Sequence, residues 1–418
     1  MTLACRNGRA DSLVLEGRLN GDECVAVTVE DGVIARIEPA AATPLVLASA
    51  FCDPHVHLRT PGREDEETIE SGTAAAAAGG YCAILAMPNT DPVVDSAAVL
   101  GTLIETARRQ ALVPTGFMAA ISKRLDGEEL TEMAELADAG AAAFTDDGRP
   151  VTSAGLMRRA LQYGAVTDRK LALHCEEPTL SRDGQIHEGH VAAELGFAPY
   201  PSVAESAMVE RDLSLAAYEE RPLHLMHLSA RESVEALRAA QARGVAATAE
   251  VTPHHLVLTD DAVRGLDPNT KMNPPLRSDA DRAALVEALR DGTIACVATD
   301  HAPHSREEKE APFESAPFGV TGLETSFAAL HTHLVEPGLI SLSTLLERMS
   351  AGPARALGLP EPRIEVGARA NLVLLDLDAE WTVTEDGFRS RSVNSWLLGE
   401  RLRGVVVKTV ADGRVVHG

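Results

Sequence analysis

His55 and His57 stand two residues apart in DPHVH. Alternate side chains of a strand share a face, so both imidazoles point the same way and can hold one metal ion together. His174 and His227 each close an apolar run, KLALH and PLHLMH. Asp147 closes FTDD and Asp300 closes VATD. Four imidazoles and two carboxylates suit Zn2+ or a similar borderline ion better than Mg2+. Six donors are too many for one tetrahedral ion with an open position. They suit two ions sharing a bridging carboxylate, for which Asp147 is the candidate. Asp146 is given a supporting or structural role. His224, three residues before His227, is expected to face the opposite way and is given no metal role. His254 and His255 are left unassigned.

Elements must bring these residues together from distant parts of the chain. Eight apolar segments read as strands: LVLASAFCDPHVH, YCAILAMPN, PTGFMAAI, AAAFTDD, KLALHCE, PLHLMHLS, ATAEVTPHHL and IACVATDH. Stretches such as SAAVLGTLIETARRQA and DADRAALVEALRDG lie between them, with the apolar spacing of amphipathic helices. This alternation predicts an α/β chain built as a (β/α)8 barrel of the TIM type. A doubly wound open sheet is the competing layout, but the Gly-rich dinucleotide fingerprint is missing. Nearly every strand ends on a polar, reactive residue: His55 and His57, Asn89, Asp147, His174, His227, His254, Asp300. A barrel carries its chemistry at those ends. Both chain ends read as short alternating strands, such as ECVAVTVEDG and GVVVKTVADGRVVHG. They predict a small β-sandwich made from residues 1–48 and 363–418, around a catalytic barrel of residues 49–362.

Composition narrows the function classes. The 418 residues carry a formal charge of −24, which argues against nucleic-acid binding and requires a local basic site for any anionic substrate. No apolar run approaches the roughly 20 residues of a membrane-spanning helix. The N-terminus lacks the apolar core of a secretion signal. Six cysteines without a CxxC pair read as reduced and mostly buried, which predicts a cytoplasmic location.

The motifs DPHVHLRTPG, MPNT, FTDDG, HCE, HLS, EVTPHH, KMNPPLR and ATDHAPH occur in this order. Together they resemble the longer, first class of bacterial dihydroorotases, within the amidohydrolase superfamily. The resemblance runs from Phe51 to Glu324, with weaker similarity at both ends. HLRTPG favours dihydroorotase over the related hydantoinases and allantoinases.

The resemblance implies roles for individual residues. His55, His57 and Asp300 would hold one metal, His174 and His227 a second, and Asp147 would bridge them. AAAFTDDGRP contains no lysine, so no carboxylated lysine is expected. One or two zinc ions per chain are implied, with two favoured. Arg59 would pair with a substrate carboxylate, helped by Asn89, Asn273 and His304, with His57 beside them. The backbone at Phe318 and Gly319 would contact the ring edge. The activity implied is the reversible cyclisation of N-carbamoyl-L-aspartate to (S)-dihydroorotate in pyrimidine biosynthesis, with Asp300 as general acid and base. A hydantoinase or allantoinase activity is one alternative. A non-catalytic partner of aspartate transcarbamoylase is the other, disfavoured because all six ligands are in place. A homodimer is implied, and an active chain remains compatible with binding to aspartate transcarbamoylase. The polar stretch 304–318 reads equally as a loop that orders over substrate or as an ordinary exposed loop.

Overall fold

Strands covered on both faces need unbroken apolar runs rather than alternation, and the middle of the chain supplies them. In the structure, a computed structural model that describes residues 1–6, 8 and 11–418, every residue of Phe51–Val56 and of Tyr81–Ala86 is buried. These two strands pair in parallel, and Tyr81–Ala86 pairs onward with Thr115–Phe117. A second parallel set joins Leu171–Leu173, Leu223–Leu225, Ala247–Val251 and Cys296–Val297 in that order. Single parallel bridges connect the sets. Phe144 bridges to Ala119 on one side and to Leu171 on the other, and His301 bridges to Val56. The pairings therefore pass through eight staves in chain order and return to the first.

Helices fill the connections, with one apolar stripe each turned to the staves. Arg231–Ala242 buries Ser233, Val234, Leu237 and Ala240, the three-and-four spacing of a single face. Asp279–Asp291 starts at a capping box in which Ser278 and Asp281 satisfy each other's backbone N–H.

Both chain ends enter one sheet. Its order is Arg414–His417, Arg401–Ala411, Leu372–Thr382, Val46–Ser49, Leu13–Leu19, Cys24–Glu30, Val33–Pro39. These seven strands form one continuous hydrogen-bonded sheet, and its edge strand bridges back from Val33 to Arg369. Two strands of 11 residues make this possible, and register shifts along their pairing bend it. Val46–Ser49 sits within this sheet and runs almost directly into the first stave, so the sheet and the staves share one chain segment. Thr409 Oγ1 also donates to Ala77 O of helix Ile69–Ala78 at 2.7 Å.

Cys52, Cys82, Cys175 and Cys296 are buried, and all six cysteines are free thiols. Burial raises the pKa of Cys175 and Cys296, which suits inert packing rather than nucleophilic work. Among the described residues no helix is long and apolar enough to cross a membrane.

The return from last stave to first depends on a buried carboxylate. Asp53 accepts from the Thr299 amide at 3.2 Å, from Thr299 Oγ1 at 2.5 Å and from the His55 amide at 3.1 Å. The His57 amide donates to His301 O at 2.8 Å beside it. Removing the carboxylate leaves buried donors without partners. Asp53→Ala is expected to cost about 3 kcal/mol or more, read as a lower urea midpoint, whereas Asp53→Asn should cost less.

Candidate metal centre

Each expected ligand sits at or just beyond the end of a stave. His55 and His57 end the first stave, Asp147 follows the Phe144 bridge, and His174 follows Leu173. His227 and Asp300 lie two and three residues past their strands, with φ of 31° and 49°. All six are buried. Asp300 Oδ1 lies 3.1 Å from His57 Nε2 and 3.4 Å from His55 Nε2. Asp147 Oδ1 lies 3.6 Å from His227 Nε2 and 3.7 Å from both His55 Nε2 and His174 Nδ1, while its Oδ2 is 3.5 Å from His57 Nε2. His174 Nδ1 and His227 Nε2 are 2.9 Å apart. Two sets could each hold an ion: His55, His57 and Asp300, and His55, Asp147 and His227.

Partners behind the ligands fix which nitrogen faces the centre. Glu250 Oε1 accepts from His55 Nδ1 at 2.7 Å, Asn89 Oδ1 accepts from His57 Nδ1 at 2.9 Å, and Glu176 Oε2 accepts from His174 Nε2 at 3.0 Å. A neutral imidazole carries one N–H, so in each ring the opposite lone pair is turned inward. His55 Nε2 is buried with no hydrogen-bond partner among the described residues. An unsatisfied polar atom there is costly, and an ion is the partner this geometry suits.

Electrostatics point the same way. Burial alone raises the carboxyls of Asp147 and Asp300, but the surrounding imidazoles, His55 foremost, outweigh it and hold both well below the usual range. Burial opposes a charge on His55 too, yet Asp147 and Asp300 outweigh that and raise its pKa. The cluster is thus organised around positive charge.

The remaining expected site residues join His57, Asp147, His174, His227 and Asp300 around one cavity of about 200 Å³. They are Arg59, Asn89, Asn273, His304, Phe318 and Gly319. Arg59, at φ 54°, donates from Nε to Pro303 O at 3.0 Å and lies 3.2 Å from Glu66 Oε2. His304 Nδ1 meets the other Glu66 oxygen at 3.2 Å, and its Nε2 lies 2.8 Å from Phe318 O. One carboxylate therefore orients both basic groups. Asn273 donates to Glu176 Oε2 at 3.1 Å, and its own Oδ1 is buried without a partner among the described residues. Gly319 has φ 124°, and a Cβ there would lie 2.8 Å from Ala302 Cβ, so the close approach requires glycine.

One expectation fails. His224 does not face away from the site. Its Nε2 meets Glu250 Oε2 at 2.9 Å, one layer beneath His55. The positive φ at His227 breaks strand alternation, so both histidines turn inward. Asp146 is structural, accepting from the Ile121 and Ser122 amides. His255 is held by Thr252 Oγ1 and Pro274 O, while His254 Nε2 is buried without a partner among the described residues. Sequence reasoning missed Glu66, Glu176 and Glu250. Glu250 carries a usable signal, an acid inside the apolar run of a buried strand.

Comparison with known proteins identifies the family. A family described as "Dihydro-orotase-like" matches residues 45–233, and one described as "Amidohydrolase family" matches residues 216–417. A protein named dihydroorotase from Caldanaerobacter subterraneus subsp. tengcongensis is 42% identical over 407 residues, covering 97% of this chain and 93% of its own. Another from Shouchella clausii is 45% identical over 376 residues, covering 90% and 88%. Among solved structures, an L-hydantoinase (dihydropyrimidinase) from Arthrobacter aurescens superposes with a TM-score of 0.86 at 26% identity, covering 96% of this chain and 94% of its own. A D-hydantoinase with a TM-score of 0.83 and 21% identity shares the fold. The resemblance read from the motifs is borne out over nearly the whole length, and the chain belongs to the dihydroorotase family of amidohydrolases.

Proposed function

We propose that this chain is a metal-dependent dihydroorotase that interconverts N-carbamoyl-L-aspartate and (S)-dihydroorotate plus water in pyrimidine biosynthesis. The observation that carries this reading is the pairing, in one small cavity, of the His/Asp cluster with Arg59 and His304. Hydantoin and allantoin carry no carboxylate, so a buried, pre-oriented guanidinium would have no counterpart on them. The likeness to hydantoinase structures supports the alternative ring-opening activity less well, because the dihydroorotases are nearer in sequence.

The donor set and the unsatisfied His55 Nε2 fit zinc. His55, His57 and Asp300 would hold one ion, and His174 and His227 a second. The two oxygens of Asp147 face both ligand groups, which supports a bridging role and two ions. Bound there, zinc supplies Lewis acidity toward the ring carbonyl and toward water. Arg59, His304, Asn89 and Asn273 hold the substrate carboxylate and ring amides, so that the carbonyl meets the centre in one orientation. The Phe318 and Gly319 backbone bounds the ring edge. Asp300 presents Oδ1 to the histidines, while its Oδ2 accepts no hydrogen bond among the described residues. This carboxylate takes a proton from the attacking water and returns it to the leaving ring nitrogen. Ring closure runs the same transfers backwards.

The circuit of eight staves supports a closed (β/α)8 barrel of the amidohydrolase kind over 49–362, with 1–48 and 363–418 forming the terminal β domain. The resemblance supports a cytoplasmic homodimer, with association with aspartate transcarbamoylase as a further assembly. Light scattering with and without that enzyme reads both.

The purified protein should turn over dihydroorotate and carry one to two zinc ions by elemental analysis; turnover of hydantoin alone would sink the assignment. His55→Ala and His57→Ala should lose metal and activity together. Asp300→Asn should keep some metal but lose about 10²–10⁴ in kcat, and near-normal turnover would remove its acid/base role. Glu250→Ala should weaken zinc binding about 10–100-fold, read by competition with a chelator. In chelator-treated protein, burial raises Glu250 but His224 and His55 outweigh it and lower its pKa from 4.5 to about 2. Its contribution to stability should be complete above the unfolded value and lost as the pH falls toward 2. Acid unfolding monitored by circular dichroism checks this, with Glu250→Gln showing a weaker dependence.

A further inference from the structure

The backbone of residues 313–319 turns five of its carbonyls inward, onto two buried lysines. Lys271 Nζ donates to Phe313 O at 2.7 Å, Ala316 O at 2.8 Å and Glu314 O at 3.0 Å. Lys309 Nζ donates to Gly319 O at 2.9 Å and Pro317 O at 3.0 Å. Lys271 is 3% exposed and Lys309 is 8% exposed, and neither pairs with a carboxylate among the described residues. An ammonium has three N–H groups and Lys271 uses all three on main-chain oxygens. The rings of Phe313 and Phe318 flank it, with centroids 5.3 and 4.8 Å from Nζ. The Gly319 amide returns a hydrogen bond to Lys271 O at 2.9 Å.

Carbonyls gathered this closely repel one another unless a cation lies among them, so this backbone shape depends on the lysines. Its last two residues, Phe318 and Gly319, line the cavity beside the His/Asp cluster. Lys271 also stands two residues before Asn273, whose side chain lines the same cavity. Burial lowers the pKa of Lys271 to about 8 and of Lys309 to about 7. A neutral Lys309 would still have the two N–H groups that its two carbonyls need, whereas the three partners of Lys271 need the charged form.

We infer that Lys271 and Lys309 are positioning residues for substrate recognition, holding the Phe318 and Gly319 backbone where it meets the ring. This rests on the dihydroorotase reading for the identity of the ring, but not for the loop. Lys271→Met and Lys309→Met remove the ammonium at similar volume. Each variant should keep the parent zinc content and change kcat less than about threefold, while KM for dihydroorotate rises about tenfold or more. Amide exchange at Ser315, Ala316 and Gly319 should speed up in both. A folded variant with parental KM and parental exchange overturns the inference, as does loss of kcat in step with metal content at unchanged KM. If Lys271→Met fails to fold, Lys309→Met carries the same test. If the parent protein does not turn over dihydroorotate, the functional reading fails, and the exchange measurement still decides the role of the lysines.

Discussion

Four imidazoles and two carboxylates crowd within a few ångströms of one another, out of water. Desolvation opposes every charge in such a cluster, and an imidazole with its proton on the wrong nitrogen would present N–H where a lone pair is needed. The arrangement holds because three of the four rings have an acceptor behind them. Glu250, Asn89 and Glu176 take the outward N–H of His55, His57 and His174. Glu250 and Glu176 are themselves kept ionised, each held at about 2 against the pull of burial by hydrogen bonds from histidine. The centre is therefore two concentric layers of opposite chemistry, with acceptors outside and lone pairs inside.

The same layering joins the His/Asp cluster to the residues proposed to hold the substrate. Asn89 accepts from His57 and faces Asp147 with its amide. Glu176 accepts from His174 and from Asn273. Glu66 takes Arg59 with one oxygen and His304 with the other. Asn89 and Glu176 thus each tie a cluster histidine to the cavity wall through a single side chain. This coupling suits a reaction in which a ring carbonyl must meet the centre at one angle.

Backbone strain collects at the same level of the fold. Arg59, His227 and Asp300 all have positive φ just past the ends of their staves. Such conformations cost about 1–3 kcal/mol each and persist only where the surroundings over-determine them. The surroundings here are the closed circuit of staves, the Asp53 bonds that complete it and the lysine-filled loop across the cavity. The terminal sheet contributes by continuing directly into the first stave, so the residues before His55 are held on both sides.

Much of this protein was legible in its sequence. Buried parallel strands must be continuous apolar runs, so the staves stood out, and a polar residue at the end of such a run marks the mouth of the fold. That logic located all six residues of the His/Asp cluster, and the ordered motifs pointed to the family. The chain alone did not reveal how the ends associate. Alternation shows strands but not their partners, and the structure joins the strands of both ends in one hydrogen-bonded sheet. His224 was misplaced because strand period predicts a face only while φ stays negative, and His227 departs from that. Glu250 escaped notice because its partner is remote in sequence, with His55 lying 195 residues away. Sequence determined which groups reach the centre, because that depends on local period. Only the tertiary structure decided which nitrogen His55 and His57 offer, because that depends on acceptors brought from other staves.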